Sequence, residues 1–130
     1  MEARVTIAPV LSVGVTPGGE RRIVLITGGT FEGPGLRGRV VPGGADWQIV
    51  RTDGVTELEA RYTLETDAGG ILYVVNRGLR HGWPGDSVYF RAAPVFETAV
   101  PEFAWMMRSI FIADADRLAD HVVIRFWRVV

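Results

Sequence analysis

Up to Pro101 this chain is broken at short intervals by glycine and proline, and the runs between the breaks are rich in Val, Ile, Thr, Tyr, Phe and Trp. Residues of that kind favour pleated, half-buried strands, while the breaks mark turns or bends. Gly18-Gly19, Gly28-Gly29, Gly33-Pro34-Gly35, Gly43-Gly44, Gly69-Gly70 and Pro84-Gly85 therefore read as turns. The spacing predicts strands over Val5–Val15, Arg21–Thr27, Leu36–Val41, Trp47–Arg51, Thr56–Thr66, Ile71–Asn76, Ser87–Glu97 and His121–Val130. Many strands so spaced point to an all-β sandwich or barrel. With 130 residues, 48% of them hydrophobic, the chain suits a single domain over residues 1–130 with its own core.

Alternation says which faces are buried. Over Glu57–Thr66, one face carries Glu57, Glu59, Arg61, Thr63 and Glu65, and the other Leu58, Ala60, Tyr62 and Leu64. The apolar face must pack on a core, and the polar face meets solvent or lines a wet cavity. Ile23-Val24-Leu25-Ile26 is apolar on both faces. A strand of that kind is covered on both sides, and in a small barrel the outer cover is often another subunit, so a homo-oligomer is expected. Phe103–Phe111 fits a helical period as well as a period of two. The β-branched Ile110-Phe111-Ile112 tips the reading toward a strand.

Several chemistries are excluded or weakened. The chain has no cysteine, and its 14 basic residues are all arginine. Disulfides, thiolate metal sites, cysteine nucleophiles and Schiff-base lysines are thereby ruled out. A formal charge of −1 offers no footprint for nucleic acid. No apolar run reaches the length of a membrane-spanning helix. The early Glu2 and the breaks at Pro9 and Gly14 argue against a signal peptide, so a cytoplasmic protein is expected.

Gly33-Pro34-Gly35-Leu36-Arg37-Gly38 matches G-x-G-x-x-G, but that motif needs a helix to follow it. Here Arg39-Val40-Val41-Pro42 cannot start one. Gly28 to Gly33 has the spacing of a phosphate loop without its lysine. His81 and His121 lie far apart, which leaves only a mixed site with Asp46 or Glu97 as a metal option. Asp114, Asp116 and Asp120 lack the glycine and terminal glutamate of a calcium loop and read as a solvated turn. Ser12, Ser87 and Ser109 stand outside any G-x-S-x-G elbow.

What is left is a set of polar groups in aromatic-rich strands: Asp46 before Trp47, Glu59 and Arg61 on one face, the sole asparagine Asn76, Arg91 after Phe90, Glu97 after Phe96, and Arg108. Structural ion pairs at the barrel ends would account for many of them. A buried subset can instead work as acid, base and oxyanion holder, with burial beside aromatics raising a carboxyl pKa.

The same residues carry a resemblance. Gly28-Gly29-Thr30-Phe31-Glu32-Gly33-Pro34-Gly35-Leu36-Arg37-Gly38 is followed by Val41-Pro42-Gly43-Gly44-Ala45-Asp46-Trp47-Gln48. Then come Glu59-Ala60-Arg61-Tyr62, Asn76-Arg77-Gly78, Tyr89-Phe90-Arg91 and Phe96-Glu97-Thr98. This order, from about Thr6 to the C-terminus, is similar to the microbial family known as domain of unknown function 3237. The resemblance implies a compact antiparallel barrel like that of allene oxide cyclase, usually self-associated, with no settled activity. The chain departs from the pattern at Trp105-Met106-Met107-Arg108, where the family typically has Trp-Leu-Asn-Arg. Met107 thus replaces an asparagine, which makes a pocket there more apolar and adaptable.

Together these readings predict an eight- or nine-stranded antiparallel barrel acting without a cofactor on a hydrophobic or aromatic small molecule. The expected reaction is isomerisation, cyclisation or elimination by acid–base catalysis. Asp46 and Glu97 are the expected proton-transfer groups, and Arg61 and Arg91 the expected anion holders. Tyr62 and Asn76 would orient substrate, with Trp47, Trp105, Met107 and Arg108 around it. The competing readings are a non-catalytic carrier barrel and an oligomer with a filled interior.

Overall fold

The computed structural model describes residues 1–83, 85 and 87–130, without the side chain of Trp83. Pro84, half of one expected turn, lies outside the described residues. The described chain forms β1 (Glu2–Ile7), β2 (Leu11–Thr16), β3 (Gly19–Gly33), β4 (Leu36–Val50), β5 (Thr56–Thr66), β6 (Ile71–Trp83), β7 (Ser87–Thr98), a 3-10 helix (Pro101–Arg108), β8 (Ile110–Arg117) and β9 (His121–Val129). All pairings are antiparallel, in the order β1-β9-β8-β7-β6-β5-β4-β3-β2, and β1 also pairs with β3. That last pairing closes eight strands into a barrel and leaves β2 as an extra strand on β3. No described helix is long and apolar enough to cross a membrane.

The differences from the expected strands have local causes. Val5–Val15 is two strands, because Pro9 has no N–H to continue a ladder. Gly28-Gly29 and Gly43-Gly44 are bulges inside long strands instead of turns, and the register shifts between Leu25 and Thr30 and between Val41 and Ala45. A Cβ on Gly29 would overlap the Arg4 carbonyl oxygen, and one on Gly44 the Arg61 carbonyl oxygen. The bulges let β3 and β4 bend around the barrel. Residues 101–108 form a helix because Pro101 opens a turn and Phe103 and Met106, three apart, eclipse on one face and bury there. Only from Ile110 does the β-branched run become a strand. Asp114 and Asp116 are not in a turn. They sit on β8, where Arg125 donates to them at 2.7 and 2.9 Å.

The alternation of β5 holds. Leu58, Tyr62 and Leu64 are buried, while Glu57 and Arg61 are exposed. One end of the barrel is solid. Phe31, Leu64, Leu72, Phe96, Phe111 and Phe126 fill it, and Phe103 and Met106 of the helix close it from below. Phe96 meets Phe111 edge-on at 5.0 Å, a favoured aromatic geometry. Leu25 on β3 remains 44% exposed, so the outer face is not covered there by the described residues.

Candidate functional site

The other half of the barrel is built differently. Register across β3, β4, β5 and β6 lines up Arg22, Gln48, Leu58 and Gly78 in one row. The neighbouring row is Val24, Asp46, Ala60 and Asn76. Beyond the first row, Thr56 pairs with Arg80, and beyond the second, Tyr62 pairs with Val74. Side chains two apart on a strand share a face, so Asp46, Gln48, Tyr62, Asn76 and Arg80 all point inward. The small side chains of Ala60 and Ala92 leave space at this level. The result is a cavity with about 50 Å³ open to the centre of a water molecule. At about 10–15 Å³ per water, that is room for a few waters or a small organic group. Its walls are chiefly apolar, with Val5, Val24, Ile26, Leu58, Val122 and Ile124 among them.

Asp46 is the carboxylate of this cavity among the described residues. Its Oδ2 accepts from Gln48 Nε2 at 2.8 Å, and its Oδ1 accepts from the Glu59 backbone N–H at 3.1 Å. Burial pushes its pKa up. The two hydrogen bonds and the charges of Arg80 and Arg117 pull the other way, but desolvation wins. Tyr62 is 2% exposed. Burial, and then the nearby Asp46 charge, push its phenol far above the ordinary range, so it stays a neutral O–H donor.

Tyr62 Oη, Asn76 Oδ1 and Gln48 Oε1 are buried with no hydrogen-bond partner among the described residues. An orphaned buried polar group costs about 1–3 kcal/mol. Three of them converging on one cavity, opposite an apolar floor, mark a place suited to a polar guest.

The cavity opens toward the ends of β6 and β8. Arg80 and Arg117 line both the cavity and a wider depression of about 790 Å³ outside it. The Arg80 guanidinium lies 5.6 Å from the centre of the Phe90 ring. Burial, and then the like charges of Arg117 and Arg22, lower the Arg80 pKa.

Of the residues expected at the site, Asp46, Tyr62 and Asn76 meet in the cavity. Strand parity sends others outside. Arg61 and Glu59 pair with each other at 2.9 Å on the outer surface, where Arg61 also donates to Tyr73 Oη at 3.0 Å. On β7, inward Ala92 and Phe96 place Arg91 and Glu97 on the outside. Arg91 there donates to the Phe90 carbonyl at 3.0 Å. Inward Asp46 leaves Trp47 42% exposed on the outer wall. Trp105, Met107 and Arg108 are exposed on the 3-10 helix at the closed end, away from the cavity. The replacement at Met107 therefore does not alter this pocket. Asp46 and Glu97 lie on opposite faces of the wall and cannot share a metal. No group of three or more potential metal ligands occurs among the described residues. Gln48, Arg22, Arg80 and Arg117 were missed. Their inward parity with Val24, Asp46, Asn76 and Phe111 is the available signal; a strand ended at Asn76 hides Arg80, and a turn read at Asp114 and Asp116 hides Arg117.

Comparison with other proteins agrees with this architecture. A family model described as protein of unknown function (DUF3237) matches residues 1–129. The chain belongs to this family. A UPF0311 protein of Rhodopseudomonas palustris is 44% identical over 131 residues, covering 91% of this chain and 86% of the relative. A crystal structure of a β-barrel-like protein from Acinetobacter baumannii superposes with a TM-score of 0.93 at 36% identity, covering 98% of this chain and 90% of that one. An enzyme from Penicillium herquei shares the fold with a TM-score of 0.75 at 18% identity, covering 98% and 91% of the two chains. The last likeness bears on fold alone.

Proposed function

We propose that this DUF3237 barrel is a cofactor-independent acid–base enzyme acting on a small, largely apolar molecule. One observation carries the reading. A desolvated carboxylate, Asp46, shares an apolar-walled cavity with the unpartnered Tyr62 hydroxyl.

The chemistry follows from the two pKa directions. A carboxylate raised by burial is a stronger base than an exposed one, and is nearer the range for proton transfer at neutral pH. The neutral Tyr62 O–H donates to an oxygen that gains negative charge as the proton leaves, as an oxyanion hole does. Asp46 takes a proton from an acidic C–H or O–H and returns it elsewhere on the same guest. The net result is isomerisation, ring closure or elimination. Gln48 holds the carboxylate through Nε2 and acts as a positioning residue.

The test is proton exchange. The protein is incubated in D2O with small aryl ketones and phenols, and NMR reads deuterium incorporation. Wild type is expected to accelerate exchange and Asp46→Asn to lose the acceleration. Equal exchange by both proteins refutes the reading. Ligand binding with no exchange by wild type also refutes it and favours the carrier alternative.

A further inference from the structure

Of the fourteen arginines, six make ion pairs among the described residues and eight do not. On the outer surface, Arg37, Arg39, Arg51, Arg61, Arg77 and Arg125 each pair with an aspartate or glutamate. At the open end of the barrel, Arg22 on β3, Arg80 on β6 and Arg117 on β8 make no ion pair among the described residues. Arg22 Nε is buried without a hydrogen-bond partner there. Arg117 Nε donates to the Leu118 carbonyl at 3.0 Å, which leaves the rest of its fork uncommitted. Arg80 rests on the Phe90 ring.

These three cations feel one another. Arg117 and Arg22 both act on Arg80 as like charges, and Asp46 is the acid that opposes them. Asp116 also borders the opening, but it is held by Arg125 at 2.9 Å. Apart from the paired Arg125 and Asp116, the mouth therefore carries Arg80 and Arg117, with the charge of Arg22 added from β3, against the one carboxylate of Asp46. Like charges gathered in a partly desolvated place repel, and an anion seated among them relieves that cost. The guanidinium fork matches a carboxylate in two parallel hydrogen bonds.

We propose that Arg80 and Arg117 form a carboxylate subsite at the barrel mouth, so that the guest is a small organic acid whose apolar body enters the cavity. The proposal rests on the cavity of the preceding reading but not on its proton transfer. The dimensions agree with it. The inner chamber of about 50 Å³ takes a compact hydrocarbon group, and the outer depression of about 790 Å³ takes a solvated head. The apolar end of the guest then lies beside Asp46 and the Tyr62 hydroxyl, while its charge stays at the arginines.

The experiment compares phenylacetate with its uncharged isostere phenylacetamide by calorimetry. Wild type is expected to bind the carboxylate about tenfold or more tightly, the worth of one charge-assisted hydrogen bond. Arg80→Met and Arg117→Met should each bring the ratio toward one, and Arg61→Met on the outer wall should leave it unchanged. If one rim variant does not fold, the other and the wild-type ratio still decide. Asp46→Asn removes a buried negative charge and should keep or strengthen carboxylate binding. The subsite thus survives even if proton transfer at Asp46 fails. Equal binding of the two probes to wild type, binding of neither at millimolar concentration, or a ratio unmoved by the rim variants overturns the subsite.

Discussion

Replacing Tyr62 with phenylalanine isolates what the cavity gives up in stability. The ring of Tyr62 points into the barrel from the strand position paired with Val74, and phenylalanine fills the same space. The hydroxyl has no partner among the described residues. Removing it thus breaks no hydrogen bond and relieves the desolvation of a polar group, which is worth about 1–3 kcal/mol. Taking the low end, because a cavity of this size admits water, Tyr62→Phe should stabilise the folded protein by about 1 kcal/mol. In a domain of this length that raises Tm by roughly 3–5 °C. Urea denaturation with an unchanged slope and a higher midpoint is the assay. The same variant should lose the exchange activity that depends on an O–H donor, because functional sites hold groups that do not help folding. A variant less stable than wild type by about 1 kcal/mol or more would show that the hydroxyl is already satisfied in the folded protein, and the reasoning would fail.

Asp46→Asn carries a pH signature. Burial raises the folded-state pKa of Asp46 above its unfolded value, so ionisation opposes folding. Wild type should lose stability relative to the variant as pH rises from the unfolded pKa through the folded one, then run parallel to it. Denaturation across the acidic range checks this, and a pH-independent difference contradicts it. Gly29→Ala should cost more than about 1 kcal/mol, because φ there is +130° and the added methyl overlaps the Arg4 carbonyl; a neutral midpoint shift contradicts it. Glu97→Gln and Arg61→Ala lie outside the cavity and should leave both stability and ligand binding unchanged, and loss of binding in either would return them to the site. The outer face of β8 and β9 exposes Ile110, Ile112, Trp127 and Val129, with Ile112 opposite Trp127, and is the surface on which the homo-oligomer expected from the sequence would pack. Light scattering should show an oligomer that Ile112→Glu dissociates; a monomeric wild type contradicts this.

Much of the fold was legible because strand alternation is a property of neighbouring residues. Leu58, Tyr62 and Leu64 turned inward as their pattern required. The bulges were not legible, since Gly28-Gly29 and Gly43-Gly44 look the same in a turn and in a bent strand, and only the approach of Arg4 and Arg61 backbone separates the two. The short helix is hidden for a similar reason: Phe103, Met107 and Phe111 fit either period, and only the burial of Met106 three residues after Phe103, behind Pro101, separates a helix from a strand. At the site, Asp46, Tyr62 and Asn76 could be found from chemistry alone. Glu97, Arg91 and Arg61 face outward, which residue type alone does not reveal because it says nothing of wall parity. Arg80 and Arg117 escaped notice because the contacts that unite them come from strands far apart in sequence.

The account depends on a carboxylate kept from bulk water inside the barrel, and the titration of the Asp46 side-chain carbon by 13C NMR reads that directly. The account predicts a midpoint above that of an exposed aspartate, shifting again when phenylacetate binds at the arginine rim. A midpoint at or below the ordinary aspartate value, indifferent to the ligand, would contradict it.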